Sequence, residues 1–179
     1  MNLSLDQIES PLGPLWLAFD DRALRALDFE EYRDRMDALL KRHYGSVTLT
    51  QGKAPAPVVA ALSRYFDGDL AALGATPVET AGTAFQRQVW AALRRVPAAR
   101  ATTYGQLAVS IGRAGASRAV GLANSLNPVA IVVPCHRVIG ADGKLTGYAG
   151  GLERKSWLLT HEKRHAAPLE FDLAETATT

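Results

Sequence analysis

The chain has 179 residues with a single cysteine, 47% hydrophobic residues and a formal net charge of +2. These values are ordinary for a soluble globular protein, and one cysteine excludes an internal disulfide and a multi-cysteine zinc cluster. No apolar stretch approaches the roughly 20 residues that span a bilayer, the first residues do not resemble a signal peptide, and the histidines lack zinc-ligand spacing. We therefore expect a cytoplasmic protein with no membrane contact, no metal and no cofactor.

Charge is divided unevenly along the chain. Residues 1–79 hold 8 Lys/Arg against 12 Asp/Glu, residues 80–165 hold 12 against 3, and residues 166–179 hold three acids and no base. The division predicts an N-terminal domain over 1–79, a basic C-terminal domain over 80–165 with a polyanionic partner, and a disordered tail over 166–179. A basic surface that is merely solvated is the alternative.

The N-terminal part predicts a small α/β domain. Alternating and apolar residues between turn signals predict three short strands within 2–30, and a further apolar run predicts a fourth at 47–50. Helical spacing of apolar residues predicts helices over 32–44 and 57–66. Residues 70–82 are interpreted as a linker. No residue in this part indicates chemistry.

Two capping boxes begin helices in the C-terminal part. Thr83-Ala84-Phe85-Gln86 starts a helix that runs to about residue 95, and Thr103-Tyr104-Gly105-Gln106 starts a second that ends at Gly112. A glycine turn then leads to a third helix over 116–126. Two short helices joined by such a turn in a basic domain indicate a helix-turn-helix. A plain helical hairpin fits the pattern equally well.

The remaining C-terminal elements surround the cysteine. The apolar run at 129–133 predicts a strand that leads to Pro134 and Cys135. An Asp-Gly turn predicts a hairpin, or wing, over 138–148. The loop 147–151 permits close approach of its backbone to a ligand, although a hairpin exit would have the same glycines. A last helix is predicted over 152–162, with Trp157 and Leu158 facing inward.

The only cysteine of the chain is followed directly by a histidine and an arginine. Thiolate is the nucleophilic form of cysteine, and a neighbouring base or cation raises the thiolate fraction. Cys135, His136 and Arg137 therefore indicate an activated nucleophile. A buried cysteine that serves only as a small apolar side chain is the alternative.

The order of motifs in the chain resembles that of one family. Pro134-Cys135-His136-Arg137-Val138-Ile139-Gly140 resembles the active-site signature of the O6-alkylguanine-DNA alkyltransferases, also called methylated-DNA–protein-cysteine methyltransferases. The resemblance covers residues 8–163. It implies an α/β (α+β) fold class, in which a small N-terminal α/β ribonuclease-H-like domain precedes a helical, winged helix-turn-helix-like domain that binds DNA and carries the catalytic site. Its further motifs lie at 10–15, 82–90, 103–108, 117–121, 127–128, 147–151 and 157–162.

The resemblance implies a DNA repair enzyme that acts once. The alkyl group of O6-alkylguanine, and of O4-alkylthymine, would be transferred to Cys135 after base flipping. His136 would act as the base through a bridging water, and Glu162 would orient it. Asn127 would brace the turn beside the site, while Tyr104 would donate a hydrogen bond to guanine N3.

Further residues are implied to contact the DNA or the flipped base. Arg118 matches the arginine that enters the base stack in place of the flipped nucleotide, and the Ala149 N–H would bind guanine O6. Backbone carbonyls near Cys135 and Val138 would hold the exocyclic amine. The implied partner is double-stranded DNA that contains the lesion, bound in its minor groove by a monomer. The other residues expected at this surface are Ser117, Ala119, Arg137 and Tyr148.

Elementary chemistry supports this interpretation and separates it from three others. Attack on an sp³ carbon needs a soft nucleophile and neutralisation of the departing guanine, and a base in a duplex must be flipped to be reached. A non-catalytic sensor of alkylated DNA would not need Cys135, and a redox regulator would need a second thiol from another molecule. A cysteine hydrolase would turn over many times, whereas a thioether product offers no leaving group.

Overall fold

The computed structural model describes residues 1–166, so the predicted tail lies outside the described residues from 167 onwards. Its N-terminal part is a four-stranded sheet of order β3-β2-β1-β4, in which β1, β2 and β3 are antiparallel and β4 is parallel to β1. The predicted strands and helices of this part are confirmed. Where the sequence predicts the end of an element, the observed end lies within about one residue of it. They are β1 (Asn2–Ile8), β2 (Leu15–Phe19), β3 (Leu24–Phe29), α1 (Arg33–Tyr44), β4 (Thr48–Gln51) and α2 (Ala56–Phe66).

The two faces of the sheet are covered by different parts of the chain. On one face Ala18 and Ala26 pack with Met36 and Leu40 of α1. The other face belongs to the main core, which the N-terminal and C-terminal parts of the chain share. The period-2 alternation of β2 produces this division, since its neighbouring side chains point to opposite faces. The sheet is therefore a buried support for the C-terminal part.

The C-terminal part is helical, and its helices begin where the sequence predicts. Both capping boxes are formed, with the Thr83 and Thr103 hydroxyls accepting from the backbone N–H of Gln86 and Gln106 at 3.1 and 3.2 Å. An N-terminal sheet domain and a helical C-terminal domain confirm the predicted fold class. No helix within residues 1–166 is both long and apolar enough to cross a membrane. The helices are α3 (Ala84–Arg95), α4 (Tyr104–Ser110), α5 (Ser117–Ser125) and α6 (Leu152–His165).

The strand predicted at 129–133 is wrong. Val129 forms only an isolated bridge with Leu27 of β3, and the chain then turns, with Ile131 in the left-handed region at φ 68°. The Val133 N–H donates back to the Val129 carbonyl at 3.0 Å. The run is apolar because it is buried on all sides, and burial does not require an extended backbone.

The hairpin predicted over 138–148 is also wrong as a two-stranded ladder. Strand β6 (Val138–Ile139) instead pairs in parallel with β5 (Thr102–Thr103), just before α4. The Asp-Gly turn is present and is closed by a hydrogen bond from the Gly140 N–H to the Lys144 carbonyl at 2.9 Å. The short strand β6 therefore joins the cysteine segment to the start of α4, which brings Tyr104 towards the site.

Two smaller expectations also need correction. The predicted linker is partly anchored, because Val78 forms a parallel bridge with Leu24 at the edge of the sheet. In α6, Leu158 is buried as expected, but Trp157 is only half-buried and stacks on His161 with ring centroids 4.8 Å apart.

Candidate active site

Cys135 begins a short 3-10 helix (Cys135–Arg137) and is only 5% exposed. Burial raises the pKa of its thiol, although a hydrogen bond from Asn127 and the charges of Arg35 and Lys155 act in the opposite direction. Their order in the sequence predicts that His136 and Arg137 lower this pKa. They do not dominate it, because both side chains are directed at Glu162. The resting cysteine therefore favours the thiol and needs a base to become a nucleophile.

His136 and Glu162 form a fully buried pair. The His136 Nε2 atom lies 2.8 Å from Glu162 Oε1, and neither side chain is exposed. Burial lowers the pKa of His136, although Glu162 opposes that effect, so the neutral imidazole is favoured. Because a carboxylate only accepts hydrogen bonds, Nε2 carries the proton and Nδ1 has the free lone pair. Nδ1 is buried and has no hydrogen-bond partner among residues 1–166.

Glu162 is the centre of a larger polar network. Burial alone would raise the pKa of its carboxyl, but hydrogen bonds and charges from His136 and Arg137 hold it well below its usual range. Two partners come from elsewhere in the chain: the Tyr65 hydroxyl donates to Oε1 at 2.8 Å and the Ala99 N–H donates to Oε2 at 3.0 Å. The ionised carboxylate is thus saturated with donors, which fixes the orientation of His136.

Arg137 occupies a different position from the DNA-facing one that the sequence analysis expected. The residue is 8% exposed, and its Nε and Nη2 atoms contact the two Glu162 oxygens at 3.0 and 2.8 Å. Its Nη1 atom donates to the Val96 carbonyl at 2.6 Å. All of these contacts are directed inward, so the guanidinium supports the buried network.

Asn127 holds the turn that leads to the cysteine. Its Nδ2 atom donates to the Val133 carbonyl at 2.8 Å, and its Oδ1 atom accepts from the Val129 N–H at 3.0 Å. Arg35 of α1 adds an anchor that the sequence did not indicate. It pairs with the buried Asp28 at 2.6 Å and donates to the Asn127 carbonyl at 3.1 Å. The sheet domain therefore supports the backbone beside Cys135.

The loop that contains Thr146 and Gly147 is held by a buried lysine. Lys155 of α6 is fully buried and donates from Nζ to the carbonyls of Thr146 and Gly147 at 2.7 and 3.3 Å. The Tyr104 hydroxyl donates to the same Thr146 carbonyl at 3.3 Å. Sequence reasoning missed Lys155, whose pattern is that of an ordinary helix lysine. The shared carbonyl links it to Tyr104, the expected donor to guanine N3.

Other expected substrate residues lie on or beside this loop. The Tyr148 hydroxyl is buried without a hydrogen-bond partner in the described part of the chain, and burial raises its pKa well above the ordinary value. Ala149 is half-buried. Val138 is buried, and its N–H donates to the Cys135 carbonyl.

The remaining expected residues are on α5 and are not part of the buried network. Ser117, Arg118 and Ala119 are all exposed at the start of this helix. Tyr104 connects the helix to the site, since its ring lies next to Gly121. The structure thus brings Cys135, His136, Glu162 and Asn127 into one buried cluster, with the exposed start of α5 beside it. Among the described residues no cluster of His, Cys, Asp or Glu could hold a metal ion.

Known proteins are similar to this chain both in sequence and in fold. The family described as "6-O-methylguanine DNA methyltransferase, ribonuclease-like domain" matches residues 6–80, and its "DNA binding domain" matches residues 84–164. A methylated-DNA–protein-cysteine methyltransferase of Salmonella typhimurium is 51% identical over 165 residues, which cover 90% of this chain and 96% of that protein. One from Mycolicibacterium paratuberculosis is 45% identical over 159 residues, with 89% and 92% covered.

A solved structure agrees with both matches. Mycobacterium tuberculosis OGT in complex with DNA superposes with a TM-score of 0.73 at 40% identity, over 93% of this chain and 95% of that one. The agreement extends over nearly the whole length of each protein, so it includes the sheet domain as well as the helices. The chain belongs to the methylated-DNA–protein-cysteine methyltransferase family, the DNA repair enzymes that transfer an alkyl group from DNA to a cysteine of the protein.

Proposed function

We propose that Cys135 accepts the alkyl group of O6-alkylguanine, and of O4-alkylthymine, in double-stranded DNA. The observation that carries the proposal is the buried pair of His136 and Glu162 next to the only cysteine of the chain. Members of this family alkylate a cysteine of their own chain, and Cys135 is the only cysteine available here. All the groups required are in one chain, so a monomer is sufficient. In this proposal the chain has two domains. Residues 1–79 support the site, and residues 80–165 bind DNA and contain the reacting cysteine.

The proposed reaction is a single displacement. His136 Nδ1 takes the thiol proton of Cys135 through a water, and the sulfur attacks the alkyl carbon. The Sγ–C bond forms as the C–O6 bond of guanine breaks, and the electron pair leaves with the purine. A hydrogen bond from Tyr104 to N3 stabilises that charge, and the Ala149 N–H donates to O6. A thioether has no leaving group, so each molecule acts once.

The test is direct transfer. The wild-type protein, in excess over a duplex that contains O6-methylguanine, should gain one methyl group per chain, and fragmentation by mass spectrometry should place it on Cys135. Unmodified guanine should remain in the DNA. Methyl on another residue, or release of free methanol with repeated turnover, would exclude the proposal.

We expect His136→Ala to slow transfer by about 100-fold or more at neutral pH, the scale of a lost general base. Because burial raises the pKa of Cys135, the variant should recover partly at higher pH, where thiolate forms without assistance. His136→Gln is the matched control, since it has an N–H for Glu162 but no basic nitrogen. Transfer rates measured as a function of pH distinguish a chemical role of His136 from a structural one. If His136→Gln transfers at the wild-type rate, the role of His136 is purely structural.

If Arg118, which is exposed on α5, assists base flipping, its substitution should slow the reaction with duplex DNA but not the reaction with a free base. Unstacking costs a few kcal/mol, which a side chain inserted into the stack partly offsets. Arg118→Ala should therefore slow repair of duplex DNA by about tenfold to a hundredfold, while the reaction with free O6-benzylguanine keeps its rate. Arg42→Ala, which changes an exposed arginine on α1 of the sheet domain, serves as the control. Equal slowing on duplex and free base would refute the role in flipping.

A further inference from the structure

The two most exposed large apolar side chains of residues 1–166 are on neighbouring helices of the DNA-binding domain. Val109 of α4 is 63% exposed and Leu122 of α5 is 62% exposed. Single apolar residues are common on protein surfaces, so exposure alone has no meaning. The position of Leu122 is more informative, because it follows Arg118 by four residues. Side chains with this spacing are neighbours on one face of a helix.

The surroundings of Leu122 fit a polyanion. Residues 80–141 contain seven arginines and no aspartate or glutamate. Arg113 and Arg118 are the two arginines of the α4–α5 segment, and both are exposed. The preceding residue, Gly121, lies next to the Tyr104 ring, so this stretch of α5 adjoins the reactive site. A duplex laid along α5 would meet positive charge and then an apolar side chain one turn later.

We propose that Leu122 is an apolar contact to duplex DNA, packed on deoxyribose and base edges next to the nucleotide that is flipped. The inference rests on the proposed function and adds a residue to it. A flipped nucleotide leaves neighbours whose ring surfaces face water, and proteins that bind the minor groove place leucine, isoleucine or phenylalanine side chains against base steps that they unstack. Side chains four residues apart are about 6 Å from each other, within two base-pair steps.

The test compares Leu122→Ala with Leu122→Met in binding to a lesion duplex. Every chain in the binding series, including the reference chain that keeps Leu122, also has Cys135→Ser, so that no lesion is consumed. We expect Leu122→Ala to weaken binding by about fivefold to tenfold relative to that reference, and Leu122→Met to stay within about twofold of it. The slope of log Kd against log salt should be unchanged, because a leucine releases no counterion. The thermal midpoint and the rate with free O6-benzylguanine should also be unchanged, since Leu122 is exposed.

Leu152→Ala is the matched control, because Leu152 is 48% exposed but lies on α6. The inference is overturned if Leu122→Ala binds the duplex as tightly as the reference chain, if Leu152→Ala loses as much affinity, or if the loss is accompanied by a lower thermal midpoint. Wild-type methyl transfer is measured in the same series. Failure of that transfer would remove the proposed function, whereas normal transfer with an unaffected Leu122→Ala would remove only this inference.

Discussion

Cys135→Ser should abolish alkyl transfer while leaving binding to lesion DNA intact. A hydroxyl is a far weaker nucleophile than a thiolate towards an sp³ carbon, and burial, which already raises the pKa of the thiol, would disfavour an alkoxide still more. The groups expected to hold DNA, such as Arg118, lie at the exposed start of α5 and do not include the sulfur. Transfer measured by mass spectrometry should fall to background.

The binding arm of this experiment has its own control. Cys135→Ala removes the hydrogen-bonding atom as well, so that neither variant can react. Both should bind the lesion duplex with the same Kd, and both should match wild type in binding to an undamaged duplex. The serine hydroxyl, placed where the side chain is 5% exposed, should cost about 1–2 kcal/mol of unfolding free energy. Residual transfer by either variant would show that a residue other than Cys135 accepts the alkyl group.

Glu162→Gln should destabilise the protein by about 3–5 kcal/mol, the usual cost of leaving a buried charge without its partner. The amide keeps the shape of the carboxylate but not its charge, so Arg137 stays buried without a counter-ion. His136 and Arg137 would also face an NH₂ group where both now donate. Urea unfolding measures the loss, and a fall in the thermal midpoint of the order of 10 °C should accompany it.

Glu153→Gln is the matched control on the same helix, since Glu153 is exposed in the first turn of α6. Its effect should stay below about 1 kcal/mol, because only the helix dipole is involved. The pKa of Glu162 is lower in the folded chain than in the unfolded one. Its stabilisation is therefore present above the unfolded pKa of about 4.3 and is lost as the pH falls through the folded value. The stabilities of Glu162→Gln and Glu153→Gln should accordingly converge in strong acid. Equal losses of unfolding free energy in the two variants at neutral pH would contradict the assigned network.

Local sequence was sufficient wherever the deciding hydrogen bonds are local. The capping boxes at Thr83 and Thr103 join residues three apart, so the starts of α3 and α4 could each be predicted from four consecutive residues. The alternation in β2 likewise predicted a strand with two different faces. The motif around Cys135, with the order of the motifs before and after it, was enough to indicate the family.

The environment of the cysteine was decided by contacts between distant parts of the chain. Arg137 looked like a surface cation, yet Glu162, 25 residues away, holds it inside. Tyr65 reaches the same carboxylate across a separation of 97 residues, and Arg35 reaches Asn127 across 92. No local pattern encodes such pairs, because each is formed only when the sheet and the helices pack together.

The backbone conformation of the apolar run at 129–133 was also decided by distant parts of the chain. Hydrophobicity determined that this run is buried, but not its conformation, since an extended strand and a turn can both be buried in one core. Leu27 and the Asn127 amide satisfy its backbone groups, and these partners select the turn. The sequence by itself determined the helix starts, the burial of the apolar run and the single candidate thiol. The tertiary structure decided which charges surround that thiol, because burial and long-range pairing set their protonation and direction.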